Sequence, residues 1–186
     1  KNNLIKEPIK RKGIGTVIKQ DTSEKQVKIA YLGIGSNLGK RIKNIENAKA
    51  KLLKNNIKII KTSSYYETLS WPNPLLPKFY NIVLKIKTSL NELQLLDLCK
   101  NIEKSLGRKK TLKNAPRVCD IDILDYDKTL KSNQIYLPHP RMHKRNFVLM
   151  PLFEINKEWK HPVTKQHIKK LIFSLSNKDI SSIKLI

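Results

Sequence analysis

Apolar periodicity along this chain switches from strand to helix and back in a fixed order. That order constrains the fold more than any single motif. Residues 27–34 read as a buried strand. Ser36 or Asn37 can then cap a helix whose apolar residues Ile42, Ile45, Ala48, Leu52 and Leu53 fall near helical spacing. Residues 57–66 are again β-rich, "ETLSWPNPLLPK" with its three prolines reads as a loop, and residues 80–88 read as a further strand. Ser89-x-x-Glu92 reads as a capping box opening a second helix, with Leu95, Leu98, Ile102 and Leu106 on one face and Gly107 past its end. After a basic loop, residues 118–126 form a fourth strand. The order β-α-β-β-α-β predicts an α+β, ferredoxin-like βαββαβ sandwich. Helices expected near 144–153 and 165–174 are C-terminal helical additions.

A chain of 186 residues suits one well-packed domain. Residues 1–27 are polar, broken by Pro8, Gly13 and Gly15, and read as a tail or the end of an upstream domain; the domain proper is 28–186. No apolar run approaches membrane-spanning length, so no membrane partner is expected. Cys99 and Cys119 match neither metal-ligand spacing nor a disulfide framework, and read as reduced core thiols of a cytoplasmic protein. The net charge of +23 suggests a polyanion partner. Lysine, however, outnumbers arginine 32 to 6 and is spread along the whole chain, whereas nucleic-acid readers lean on arginine. Compositional drift toward lysine is the simpler account, and no nucleic-acid partner is expected.

The glycine-rich stretch "AYLGIGSNLGKR" invites a phosphate-loop reading. Gly33, Gly35 and Gly39 give G-x-G-x-x-x-G, with no acid some twenty residues on, so the dinucleotide fingerprint fails. The Walker spacing fails as well, because Lys40 is followed by Arg41. What remains is a strand-to-helix turn at which a ligand can approach the backbone.

"PRVCDIDIL", residues 116–124, is the sharpest chemical signal. On a strand, Val118, Asp120 and Asp122 point one way, and Cys119, Ile121 and Ile123 point into the core. Carboxylates at i and i+2 have Cα atoms about 6.5 Å apart, a spacing at which both can flank two divalent ions. Oxygen-only ligands favour Mg²⁺ over zinc. Four of the six arginines, Arg108, Arg117, Arg141 and Arg145, lie between 108 and 145, and Mg²⁺ beside arginines is what phosphoryl transfer needs. Further candidates are His139, held between Pro138 and Pro140, and Phe79 and Phe147, whose rings can stack on a flat ligand. Asn81 carries an amide able to read a heterocycle edge.

Together, "YLGIGSNLG", "SSYYET", "FYNIVLKIKT", "IEKSLGR", "PRVCDIDIL" and "LPHPRMHKRNFVLMPLFEI" resemble the 6-hydroxymethyl-7,8-dihydropterin pyrophosphokinase family, in the family's order and over roughly residues 28–175. The resemblance implies transfer of diphosphate from ATP, the co-substrate, to the hydroxymethyl group of the pterin in folate biosynthesis, with release of AMP. It implies that Asp120 and Asp122 hold two Mg²⁺ ions and that Arg108, Arg117, Asp120 and Asp122 are catalytic. Gly35, Ser36, Asn37, Thr68, Phe79, Asn81 and Phe147 fall on the pterin side. Lys100, Glu103, Lys110, Ile123, His139 and Arg145 fall where ATP contacts are expected, and Arg108 and Lys110 sit in a loop that closes over the reacting groups. The expected state is a monomer, with fusion to or association with other folate-pathway enzymes left open.

Two rivals share some of these features. A ferredoxin-like RNA-binding module has the same element order, but its third-strand aromatic signature is missing, and paired strand aspartates would repel phosphate unless metals intervened. A degenerate relative that binds pterin without catalysis is the other.

Overall fold

The computed structural model describes residues 26–109, 114–131 and 133–186. Its elements run β1 (Lys28–Ser36), α1 (Arg41–Lys54), β2 (Lys58–Thr62), β3 (Tyr66–Thr68), β4 (Phe79–Thr88), α2 (Glu92–Ser105) and β5 (Asp120–Tyr126). A 3-10 turn at Met142–Lys144 then leads into α3 (Asn146–Ile155), α4 (Ile168–Phe173), α5 (Asn177–Ser181) and β6 (Lys184–Leu185). The strands lie in the order β5-β1-β4-β3-β6, with β2 also on β4, and every pairing is antiparallel. This is the ferredoxin-like βαββαβ arrangement with C-terminal additions.

The central strands read as continuous apolar runs because both faces of the sheet are covered. Ala30, Leu32 and Ile34 of β1 join Ile82, Leu84 and Ile86 of β4, Ile121 and Ile123 of β5, and Ile45, Ala48, Leu95, Cys99 and Ile102 of α1 and α2 in one core. Tyr31, Val83 and Leu124 face the other way and pack with Val148, Leu149 and Leu152 of α3 and Ile168 and Leu171 of α4. Each such aliphatic side chain contributes about 1.5–3 kcal/mol when fully buried. Both cysteines are free and lie in the first core.

Several element boundaries differ from the sequence expectation. The β-rich run 57–66 is split, and Glu67 and Thr68 belong to β3 rather than to the proline loop. Neither Ser36 nor Asn37 caps α1: that helix starts at Arg41 after a turn in which Gly39 has φ +66°, with no side-chain cap. The capping box of α2 is built two residues later than Ser89-x-x-Glu92. Asn91 Oδ1 accepts from the Leu93 and Gln94 N–H groups, and Gln94 Oε1 accepts from the Asn91 N–H. Glu92 is left free to pair with Lys131. β5 begins at Asp120 rather than at residue 118. It carries a register shift opposite Tyr31, where the pairing jumps from Ile123 to Asp125, so that the Asp125 carboxylate reaches Trp159 Nε1 at 2.9 Å. α5 and β6 carry no sequence signal strong enough to be foreseen; β6 pairs with Tyr66 and Glu67 of β3.

Candidate active site

The face of the sheet that carries Tyr31, Val83 and Leu124 is covered by α3 and α4 over only part of its area. Beyond that cover the register sets out the chemistry. Gly35 of β1 pairs with Asp120 of β5 on one side and with Asn81 of β4 on the other, and Asn81 in turn pairs with Tyr66 of β3. One row along, Gly33 pairs with Asp122; in the row on the opposite side of Asn81, Phe79 pairs with Thr68. Side-chain alternation brings Asp120 and Asp122 to this same face, as the sequence predicts, while Ile121 and Ile123 enter the core behind them. Gly35 is needed here for space: a Cβ at this position would sit 2.8 Å from Asn81 Oδ1 and 3.4 Å from the Phe79 ring.

The two carboxylates are half-buried and surrounded by cations. Asp120 Oδ1 lies 2.6 Å from Arg108 Nη1, and Asp120 Oδ2 accepts from Arg117 Nη1 at 3.2 Å. Asp122 Oδ2 lies 3.4 Å from Arg145 Nη1 and 3.8 Å from His139 Nε2. Each arginine pair also borders an aromatic ring. Arg117 Cζ is 5.9 Å from the Phe79 centroid, and Arg145 Cζ is 5.3 Å from that of Phe147, at the start of α3. Arg117 Nε is buried and has no hydrogen-bond partner among the described residues, an unsatisfied donor beside the acids.

Behind the acids, Glu103 of α2 is only 2% exposed. It accepts from the Ile121 N–H at 2.7 Å, on the outer edge of β5, and pairs with Arg108 at 2.6 Å and Lys100 at 3.2 Å. Burial pushes its carboxyl above the usual range, and the Ile121 N–H, Lys100 and Arg108 oppose that shift. His139 is driven the other way: burial lowers its pKa, Asp122 raises it, and Arg145 and Arg141 lower it further. The His139 backbone N–H donates to Leu124 O at 2.8 Å, which holds the main chain at His139 beside β5.

On the other side of Gly35, Asn81 is buried and its Nδ2 donates to Thr68 Oγ1 at 3.0 Å. No described group donates to Asn81 Oδ1. A cavity of about 190 Å³ opens beside Thr68, between Glu67, Lys78 and the C-terminal Ser181, Ser182 and Lys184. Ser36 is fully buried and accepts from Asn44 Nδ2 at 3.2 Å. Asn37, also buried, donates to Ser70 Oγ at 3.2 Å and Pro77 O at 3.1 Å and accepts from the Arg117 N–H at 2.7 Å.

Most candidates from the sequence therefore fall on one face or its β5 edge. Three do not. The Ile123 side chain is in the core on the α1/α2 side, the Ser36 hydroxyl also turns to that side, where Asn44 of α1 holds it, because it alternates with Gly35, and Lys110 lies outside the described residues. The partners of Asn37, 33 to 80 residues away in sequence, carry no local signal. Neither does Asn146, whose Nδ2 reaches Asp179 O at 2.5 Å and Ser182 Oγ at 3.1 Å beside Phe147.

A divalent ion would find two oxygen donors here, Asp120 and Asp122, both partly exposed. Among the described residues no cluster of three or more His, Cys, Asp and Glu side chains is assembled to hold a metal. That donor set suits Mg²⁺, which keeps several waters and takes one or two carboxylates plus substrate phosphate oxygens.

Comparison with known proteins points the same way. Residues 31–157 match the family model for 7,8-dihydro-6-hydroxymethylpterin-pyrophosphokinase. The chain is 42% identical over 141 residues to the 2-amino-4-hydroxy-6-hydroxymethyldihydropteridine pyrophosphokinase of Aquifex aeolicus, covering 75% of this chain and 88% of that protein. It is 42% identical over 154 residues to the folic acid synthesis protein fol1 of Pneumocystis carinii, covering 82% of this chain. It spans only 21% of the length of that protein. A Plasmodium falciparum HPPK-DHPS crystal structure shares the fold with a TM-score of 0.69 at 18% identity, over 89% of this chain and 48% of that one.

Proposed function

The chain belongs to the 7,8-dihydro-6-hydroxymethylpterin-pyrophosphokinase family, and we propose that residues 28–186 transfer diphosphate from ATP to the hydroxymethyl oxygen of 6-hydroxymethyl-7,8-dihydropterin, releasing AMP. The observation that carries this reading is the row Asp120–Gly35–Asn81, which sets a carboxylate and an open amide on one face, two strand spacings apart. That separation is about 10 Å, room for a flat acceptor between the amide and the carboxylates.

In this reading Asn81 reads the pterin edge, Thr68 orients its amide, and Phe79 and Phe147 hold the ring. Gly35 leaves room for it. Asp120 and Asp122 would hold two Mg²⁺ ions, which when bound neutralise phosphate charge and orient the triphosphate. Arg108, Arg117 and Arg145 already share the two carboxylates and lie where they can engage phosphate oxygens, with the unpartnered Arg117 Nε as a ready donor. Glu103 holds Arg108 and Lys100 in place. His139, whose pKa burial lowers, offers the nucleotide a hydrogen bond. The acceptor hydroxyl needs little base assistance, because phosphoryl transfer is governed mainly by positioning and charge neutralisation. Buried free thiols at Cys99 and Cys119 support a reducing, cytoplasmic setting. Among the described residues no helix is long and apolar enough to cross a membrane.

The test is an assay of the purified chain with ATP, Mg²⁺ and the hydroxymethyl pterin that resolves AMP from ADP. AMP produced in step with pyrophosphorylated pterin supports the reading. ADP alone, or AMP independent of the pterin, sinks it.

A further inference from the structure

Asn37 is 1% exposed, and three of the four hydrogen-bonding positions of its side-chain amide, both Nδ2 donors and one on Oδ1, are engaged by the protein. Its partners belong to two segments that flank the site from opposite sides. Nδ2 grips the base of the loop between β3 and β4 at both ends, through Ser70 Oγ and Pro77 O, and Ser70 Oγ donates to the same Pro77 carbonyl at 2.5 Å. Oδ1 accepts the Arg117 N–H at 2.7 Å, and the Asn37 N–H returns a bond to Arg117 O at 3.2 Å. Arg117 in turn holds Asp120 and borders Phe79. Beyond its pinned base the loop turns Trp71 and Leu75 outward, 69% and 92% exposed.

We infer that Asn37 is a positioning residue that couples the acceptor loop 69–78 to Arg117, so that seating the acceptor and aligning the arginine beside Asp120 occur together. The inference rests on the diphosphate-transfer reading and gives Asn37 a role other than ligand contact, since both of its amide donors are spent on the protein and the residue is buried. A primary amide suits the position: it supplies two donors for oxygens on one side and one acceptor for an N–H on the other. A carboxylate would lack both donors, and a hydroxyl would not span three partners.

The experiment compares Asn37→Ala, Ser70→Ala and the double variant with the native chain. It measures KM for ATP, KM for the pterin, kcat, and amide hydrogen exchange without substrate. Removing one partner of buried hydrogen bonds shifts equilibria by about 5- to 150-fold. Asn37→Ala is expected to raise the pterin KM and lower kcat, each within that range, with the ATP KM within about 3-fold. Ser70→Ala is expected to act mainly on the pterin KM, and the double variant to be no worse than Asn37→Ala alone. Exchange at the Arg117 amide and at residues 70–76 should accelerate together in Asn37→Ala, with core amides such as Leu32 unchanged.

Native kinetics in a folded Asn37→Ala chain overturns the inference. So does an additive double variant, or faster exchange spread through the core. A native chain that forms no AMP instead defeats the transfer reading, and the exchange data still decide whether the tie exists.

Discussion

Asp120 and Asn81 stand on either side of the same residue, Gly35, in one row of the sheet. The carboxylate belongs to the charged half of the face and the amide to the aromatic half, and the glycine between them is the floor. At Gly35 the glycine run that resembles a phosphate loop leaves room for the Asn81 amide and the Phe79 ring, and neither phosphate fingerprint is needed to explain it.

Gly35→Ala tests that floor. The new methyl group would sit 2.8 Å from Asn81 Oδ1, and the amide is a side-chain end that can turn away, so the chain folds. Turning away misplaces the open Asn81 Oδ1 and strains the bond to Thr68. Overpacking of this kind costs about 1–3 kcal/mol. Titration of the pterin should show weaker binding by about 5- to 150-fold, with ATP affinity little changed. Undiminished pterin affinity would remove Gly35 from the site.

Asp122→Ala removes one of two oxygen donors and leaves Arg145 and His139 facing each other at 3.5 Å without the carboxylate between them. AMP formation should fall by about 10²-fold or more, the loss typical when a preorganised charge at the reacting group is removed. Isothermal titration should show that Mg²⁺-dependent ATP binding weakens as well. Near-native turnover with Mg²⁺ would show that this carboxylate holds no catalytic metal.

The parts of this arrangement legible in the sequence are those set by short-range periodicity. Alternation along residues 118–124 put Asp120 and Asp122 on one face, and the order of apolar runs gave the sandwich. The parts that were not legible depend on partners far apart in the chain. Nothing near Ser89 shows that Asn91 will reach the Leu93 and Gln94 N–H groups first, and so set the start of α2. Nothing near Asn37 shows that it spends its amide on Ser70, Pro77 and Arg117. Asp125 has a polar partner in Trp159 only because the pairing of β5 shifts register opposite Tyr31.

Phe147→Ala separates stacking from phosphate chemistry. The ring lies at the start of α3 with Arg145 over it at 5.3 Å, while the Arg145 bond to Asp122 does not need the ring. Loss of one stacking face costs about 1–3 kcal/mol where nucleobase values transfer. The pterin KM should rise accordingly, with kcat at saturating pterin and the ATP KM close to native. A loss confined to kcat would place Phe147 in the alignment of the phosphates instead.

The charge state of His139 is the most sensitive report on the acids and arginines around it. Burial is the largest influence and lowers its pKa from the ordinary 6.5; Asp122 raises it, and Arg145 and Arg141 lower it. Because the folded state resists the proton that the unfolded chain accepts, His139 costs no stability above about pH 6.5 and progressively destabilises the fold as pH falls below it. Ring-carbon NMR should place its midpoint below 6.5. Asp122→Asn removes the carboxylate that raises the pKa and should move the midpoint lower still, whereas Arg145→Gln should move it up. A midpoint above 6.5 in the native chain that falls below 6.5 in Asp122→Asn would mean that the imidazole is held as a cation paired to Asp122. The nucleotide side would then carry one more positive charge than the geometry assigns.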